Sequence, residues 1–391
     1  MFKYILAFIL GIVIVGVMES FGIVERYFII FFTINMFLLI KNMGKIKIKN
    51  AIYLIVCIIC GFIITSYCSF YLEYDGRGET IRGTFKYKEE TAVLVIFEGE
   101  PKKYNLPILL KNIKGNKRFK PILTTPIKLY KTKRIYEHMG NSNYEQICNN
   151  IYLKLVNKLG EGYDVFLGYS KSIPYYEDII NKKIFKNNYK RIIVVPIALT
   201  ESKVYYNTIN HISMKKAYYK ECQFKFAKPL YSSKNVVSSI IRSINNRQEG
   251  LDKNKIGIIL IGEASKNLEN KFVEHRSIKE EEAFVEKIKK GLVDLGYDER
   301  KILYDFDYPN EEHMEKLLIQ LQQYGIEKIF IVNTGDIVDT ITNQYIVHKI
   351  VEDAKNMEDI EVLYIKGWGE DDLLVEAIEF KIRSINVEKW N

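Results

Sequence analysis

The feature that most constrains this chain is its first 73 residues, which hold three long apolar stretches. Residues 4–18 and 27–40 carry no charge, and neither does Ala51–Leu72. A helix that crosses a bilayer needs about 20 apolar residues at 1.5 Å rise each. The third stretch meets that length by itself, and the first two meet it by borrowing Phe2 and Phe21–Val24. Spans are therefore expected at about 2–18, 22–40 and 51–72, in a transmembrane region 1–73. A cleaved signal peptide is the competing reading of the first stretch. Against it, Met18-Glu19-Ser20-Phe21 is bulky where a small-x-small cleavage site should stand, and a second apolar run follows at once.

Three spans put the amino terminus and the rest of the chain on opposite sides. Lys41, Lys45, Lys47 and Lys49 follow the second stretch, which places residues 41–50 in the cytoplasm and the globular part outside. Arg77, Arg82, Lys86 and Lys88 argue the other way. The expectation is a multi-pass protein of the cell membrane with its globular part on the extracytoplasmic side.

Basic residues number 57 against 48 acidic, a formal charge of +9. Lysines and glutamates are interspersed and no nucleic-acid motif is present. The surface is therefore expected to be solvated, with some attraction to anionic lipid and no nucleic-acid partner. Cys57, Cys60 and Cys68 lie inside the third apolar stretch, leaving Cys148 and Cys222 for the remainder. Residues 74–90 read as a linker. About 300 residues follow, enough for two domains of ordinary size.

Those residues carry a regular strand signal. Short runs rich in Val, Ile, Leu and Phe occur at Ala92–Phe97, Asp164–Gly168, Arg191–Ile197, Gln223–Ala227, Ile256–Ile261, Ile302–Phe306, Lys328–Val332 and Glu361–Ile365. Such runs suit strands buried on both faces. Helical patterns lie between most of them, at Tyr144–Leu159, Val236–Ile244, Glu280–Leu295, Glu311–Tyr324 and Asp336–Lys355. Alternating strand and helix predicts parallel sheets with right-handed crossovers. The polar stretch Asn245–Lys255 divides the strands four and four. The fold expected is α/β, with two Rossmann-like lobes of four-stranded parallel sheet, 91–247 and 248–391, meeting across a cleft. Ligands of such sheets sit at the carboxyl ends of the strands.

Several chemistries lack their motif. There is no Gly-x-Gly-x-x-Gly, no Gly-Lys-Ser/Thr loop and no Gly-x-Ser-x-Gly elbow. The five histidines (138, 211, 275, 313 and 348) have no metal-ligand spacing. His348 and Glu352, one turn apart on a predicted helix, fit a surface pair better than a metal site.

The ordered set of segments resembles the ferrochelatases, which insert iron(II) into protoporphyrin. Val93–Pro101 is similar to that family's opening strand and Gly-x-Pro turn, with Gly99 and Pro101 in place. Lys133–Ser142 resembles its Tyr-x-x-Ile-Gly-Gly-x-Ser segment, with Asn141 for the second glycine. Tyr163–Gly168 followed by Pro174 and Glu177-Asp178 resembles a strand and helix start of the family. Ile193–Ile197 with Ser202 beyond is similar to its Val-Leu-Pro-Leu-Tyr-Pro-x-x-Ser run. The second half fits more loosely, through Gly257–Glu263 and Ile329–Asp339.

The departures fall where that family does its chemistry. Glu263 occupies the place of the metal-inserting histidine. Asp339 matches the aspartate of the Val-x-Asp-His-x-Glu segment, but Thr340 and Thr342 replace its histidine and glutamate. The resemblance implies Glu263 and Asp339 as catalytic groups and Glu263 with Glu201 as metal ligands. It implies Gly99, Pro101, Glu201 and Ser202 as residues that bind the macrocycle. A carboxylate can bind a hard divalent ion and can accept a proton when burial raises its pKa. Iron(II) or another divalent ion would be a substrate, with no permanently bound cofactor. No iron–sulfur cluster is expected, because two cysteines outside the apolar region cannot supply four thiolates. Three readings stay open: a membrane-tethered chelatase, a non-catalytic tetrapyrrole-binding or sensing protein, and a two-lobed binder of another small solute.

Overall fold

The computed structural model describes residues 1–43, 48–73, 91–113, 120–216, 222–262, 271–305, 311–354 and 360–390. The chain forms two compact units, Met1–Gly83 with Pro101–Ser142, and Thr84–Glu100 with Asn143–Asn391. Residues 101–142, which fall within the range read from sequence as the first lobe, group with the apolar helices instead.

In the first unit α1 (Phe2–Glu19), α2 (Gly22–Lys41) and α3 (Ile48–Glu73) are each long and apolar enough to cross a membrane. Helices α1 and α3 cross with backbone against backbone. A Cβ on Gly11 would strike the Ile58 carbonyl, and one on Gly61 would strike that of Phe8. Small residues permit this approach, and dispersion across the seam holds apolar helices together where lipid gives no hydrophobic drive. The end of α1 and the end of α3 lie together, since Ser69 donates to the Glu19 carboxylate at 2.9–3.0 Å.

The second unit opens with strand β1 (Thr91–Phe97), after which the chain makes two helices of the first unit, α4 (Leu106–Ile113) and α5 (Lys120–Met139). It returns through α6 (Tyr144–Leu159), β2 (Tyr163–Tyr169) and a short α7 (Tyr176–Ile179). Then come β3 (Arg191–Pro196), α8 (Lys203–Lys216), β4 (Gln223–Phe226) and α9 (Lys234–Asn245). The second half runs β5 (Ile256–Ile261), α10 (Lys271–Asp294), β6 (Ile302–Asp305) and α11 (Glu311–Gln323). It ends with β7 (Lys328–Asn333), α12 (Ile341–Ala354), β8 (Glu361–Ile365) and α13 (Asp372–Val387). The strands form two four-stranded sheets, ordered β2-β1-β3-β4 and β6-β5-β7-β8, with every pairing parallel. The α/β class, the strand count and the equal halves are as the apolar runs predicted.

Alternation along the strands assigns the faces. Val93, Val95, Ile193 and Val195 enter one core, which also takes Ile256, Ile258, Leu260, Phe330 and Val332 of the other sheet. The intervening Ala92, Leu94, Ile96, Ile192 and Val194 pack in a separate cluster under α7 and α8, and Ile259, Ile261, Ile329 and Ile331 in another under α11 and α12. One apolar layer is therefore shared by both lobes, through α6, α9, α10 and α13. The sheets read as continuous apolar runs because both faces are covered.

Two helix starts differ from expectation: α10 begins at Lys271, ahead of the predicted Glu280, and α12 begins later than predicted. The helix predicted from Asp336 begins at Ile341, because the polar side chains ahead of it are consumed by a loop network. Asn333 Oδ1 accepts from the backbone N–H of Gly335 and Asp336 at 3.1 and 3.0 Å, and the Asn343 N–H donates to Thr340 Oγ1 at 3.2 Å. Thr340 is thus the helix cap.

Candidate functional site at the strand tips

Parallel strands end on one edge of each sheet, and here the two carboxyl edges are tied to one another. At the tip of β1, the Glu100 carboxylate accepts from the Ile341 N–H at 2.9 and 3.1 Å, placing negative charge at the amino end of α12. At the tip of β3, Thr200 Oγ1 and Ser277 Oγ lie 2.7 Å apart. The Glu201 N–H donates to Glu280 at 2.8 Å. Arg276 lies between the two glutamates, 3.0 Å from Glu201 and 3.4 Å from Glu280. Burial, reinforced by the Glu201 charge, raises the Glu280 pKa above the usual carboxylate range although two groups oppose the shift, the Glu201 N–H and Arg276. These bridges hold the tip of β1 at the start of α12 and the tip of β3 against the second and third turns of α10.

Gly99 adopts φ +89°, and a Cβ there would lie 2.7 Å from that of Tyr169 and 3.0 Å from that of Ser172. No other residue fits that turn. It is framed by the β2 tip, where the Lys171 N–H donates to the Glu98 carbonyl at 2.7 Å and Ser170 Oγ donates to the same oxygen at 2.9 Å. Ser202 accepts from the Tyr205 N–H at 3.4 Å and so starts α8. In the first unit, the Pro101 carbonyl accepts from the Tyr136 hydroxyl at 2.7 Å. Of the residues that the resemblance pointed to, Glu201 is thus engaged with Arg276, and Ser202 and Gly99 shape loops.

Glu263 lies outside the described residues. Asp339 is buried, with 3% of its surface exposed. Its carboxylate accepts from Asn333 and, at 2.8 Å, from the Gly367 N–H. Burial raises its pKa, partly offset by those donors, by Tyr364 and by Lys366. Asp339 therefore ties the β7 tip to the loop after β8. His348 and Glu352 form an exposed pair at 3.4 Å. Among the described residues, no group of three or more His, Cys, Asp or Glu side chains is arranged to hold a metal.

A different pair stands at the edge of the second sheet. Asp305 ends β6, and its carbonyl accepts from the Gly262 N–H at 2.9 Å, beside the β5 tip. Its fully buried carboxylate meets His313 Nδ1 at 2.9 Å, and the imidazole, in the first turn of α11, is 40% exposed. Carboxylate contact at Nδ1 favours the tautomer with its proton there and its lone pair on Nε2. Sequence reading passed over the pair because a strand end and the next helix start, eight residues apart, match no ligand spacing.

Next to the Arg276 bridge, Tyr231, His275, Arg276, Lys279, Glu280 and Ala283 line an open depression of about 430 Å³. Arg276 is already paired with Glu201 and Glu280, so Lys279 is the lining cation that makes no ion pair among the described residues.

No protein-family model matches the chain, and no curated protein matches it. Solved structures similar to it include the sirohydrochlorin chelatase SirB of Bacillus subtilis subspecies spizizenii in complex with cobalt. That likeness has a TM-score of 0.49 at 11% identity, over 76% of this chain and 95% of that one. SirB of Bacillus subtilis with Fe3+ gives 0.47 at 12% identity, over 76% and 96%. A multi-domain Deinococcus radiodurans protein described as structurally similar to chelatases gives 0.42 at 10% identity, over 76% and 55%. The chain is an α/β protein of two Rossmann-like lobes, whose neighbours of known structure include chelatases.

Proposed function

We propose that the chain is a membrane-anchored chelatase-type protein. It holds a tetrapyrrole at the facing strand tips of its lobes and inserts a divalent metal, with iron(II) and a porphyrin as the ferrochelatase-like case. The observation that carries this reading is the Asp305–His313 pair, an imidazole oriented by a buried carboxylate at the β6 tip of the second sheet. Insertion exchanges two pyrrole N–H bonds for metal–nitrogen bonds, so one divalent ion enters and two protons leave. His313 Nε2 accepts these protons one at a time and passes each to water. Lys279, on the rim of the depression, takes a macrocycle carboxylate. Tethering suits the substrate, since an apolar macrocycle partitions into lipid.

The second reading, a tetrapyrrole binder without turnover, is favoured by the buried, fully hydrogen-bonded state of Asp339. An anaerobic assay of the full chain with iron(II) and either protoporphyrin or sirohydrochlorin separates the two. Loss of the free-base absorption bands at a rate proportional to protein supports insertion. Macrocycle binding with no metal-dependent change leaves the binder.

A further inference from the structure

Helix α5 belongs to the unit of apolar helices, and its attachment fixes its depth. Lys133, whose side chain is 0% exposed, donates to the Val17 carbonyl in the last turn of α1 and lies 2.9 Å from Glu25 in the first turn of α2. Phe21, between those helices, packs edge-on against Tyr104 at 6.2 Å. The α1–α2 turn is where both apolar helices end. An 18-residue helix spans about 27 Å, close to the hydrocarbon thickness of a bilayer. A helix clamped to that turn sits at headgroup depth.

The composition of α5 fits that depth. Leu129, Lys133 and Tyr136, at i, i+4 and i+7, form the buried stripe. Outward it presents Ile127 (60% exposed) and Tyr130 (38%), interleaved with exposed Lys128 and Lys131. Within 125–139 the only acid is Glu137, which pairs with Arg134. Lys128 and Lys131 make no ion pair among the described residues. An isoleucine and a tyrosine beside uncommitted lysines make a poor water-facing surface and a good interfacial one.

We propose that the outward face of α5 binds anionic lipid headgroups, with Lys128 and Lys131 on the phosphates and Ile127 and Tyr130 at the acyl boundary. This rests on the membrane-anchored reading above. Each lysine is expected to contribute about five-fold in preference for anionic lipid.

The test uses the full chain reconstituted in phosphatidylcholine bilayers that contain a photo-crosslinkable phosphatidylserine, with adducts mapped by mass spectrometry. Adducts on residues 125–135 are expected, competed by unlabelled phosphatidylserine but not by phosphatidylcholine or free phosphoserine. Lys128→Gln with Lys131→Gln should lower them at least ten-fold, and arginine at both positions should restore them. Adducts confined to α1–α3 and unchanged by the glutamines would overturn the proposal while leaving the anchor intact. A chain extracted from the bilayer by alkaline carbonate would overturn the anchor as well.

Discussion

Asp305 holds His313 by its Nδ1 at 2.9 Å, with the carboxylate sealed from solvent and the imidazole partly open. A buried acceptor that orients a half-exposed ring is the arrangement a proton-accepting histidine requires. His313→Gln should lower metal insertion by about 10²-fold or more. Macrocycle affinity should stay close to the parent, while Tm should fall modestly because the buried Asp305 carboxylate loses its imidazole partner. Asp305→Asn should shift the pH–rate profile as well as lower the rate, which a merely structural aspartate would not do. The check is a set of initial rates across pH beside a macrocycle titration for each variant.

Asp339 makes a prediction of opposite kind. Asp339→Ala strips acceptors from Asn333 and the Gly367 N–H, at a cost of about 1–3 kcal/mol per orphaned donor, visible as a lower Tm. Its folded pKa is raised above the ordinary 3.8 by burial. The folded state therefore holds this proton more tightly than the unfolded chain does. Its contribution to stability is full below pH 3.8 and is lost as pH rises through the folded value. Denaturant titrations across that window should show the contribution in the parent and not in Asp339→Asn.

The Lys133–Glu25 pair can be dissected by a double-mutant cycle. Lys133→Met alone leaves the buried Glu25 only the longer contact to Arg134, at 3.4 Å, and should destabilise the first unit by about 3 kcal/mol. Adding Glu25→Leu should recover most of that loss. Detergent-resistant melting of the four proteins reads the coupling.

Gly99→Ala should destabilise the second unit by about 1–3 kcal/mol, since the positive φ and the neighbouring Tyr169 and Ser172 leave no room for a methyl. The substitution should slow macrocycle binding together with folding, measured by Tm and by binding amplitude.

Much of the fold was legible from the chain itself, for physical reasons. Ile256–Ile261 and Glu361–Ile365 were placed to the residue, because a strand covered on both faces is an apolar run with sharp polar edges. The α12 start was not, because Asp336 and Thr340 continue a helical pattern while their side chains and Asn333 build a loop. The site was less legible. Pairing of Asp305 with His313 depends on a strand end and a helix start coming together, which spacing does not encode. The clamp of Lys133 on Glu25 joins residues more than a hundred positions apart, so the Lys133–Ser142 segment read as part of the first lobe while its helix packs in the other unit.

The central claim is that the facing strand tips hold a tetrapyrrole, and a spectroscopic titration tests it most directly. Protoporphyrin and sirohydrochlorin are each added to the full chain in detergent while the Soret region is followed. A saturable shift with at least one macrocycle at one equivalent per chain is predicted, weakened about ten-fold by Lys279→Gln, which removes a charge-assisted contact and leaves the Arg276 bridge in place. An unchanged spectrum with both macrocycles would contradict it.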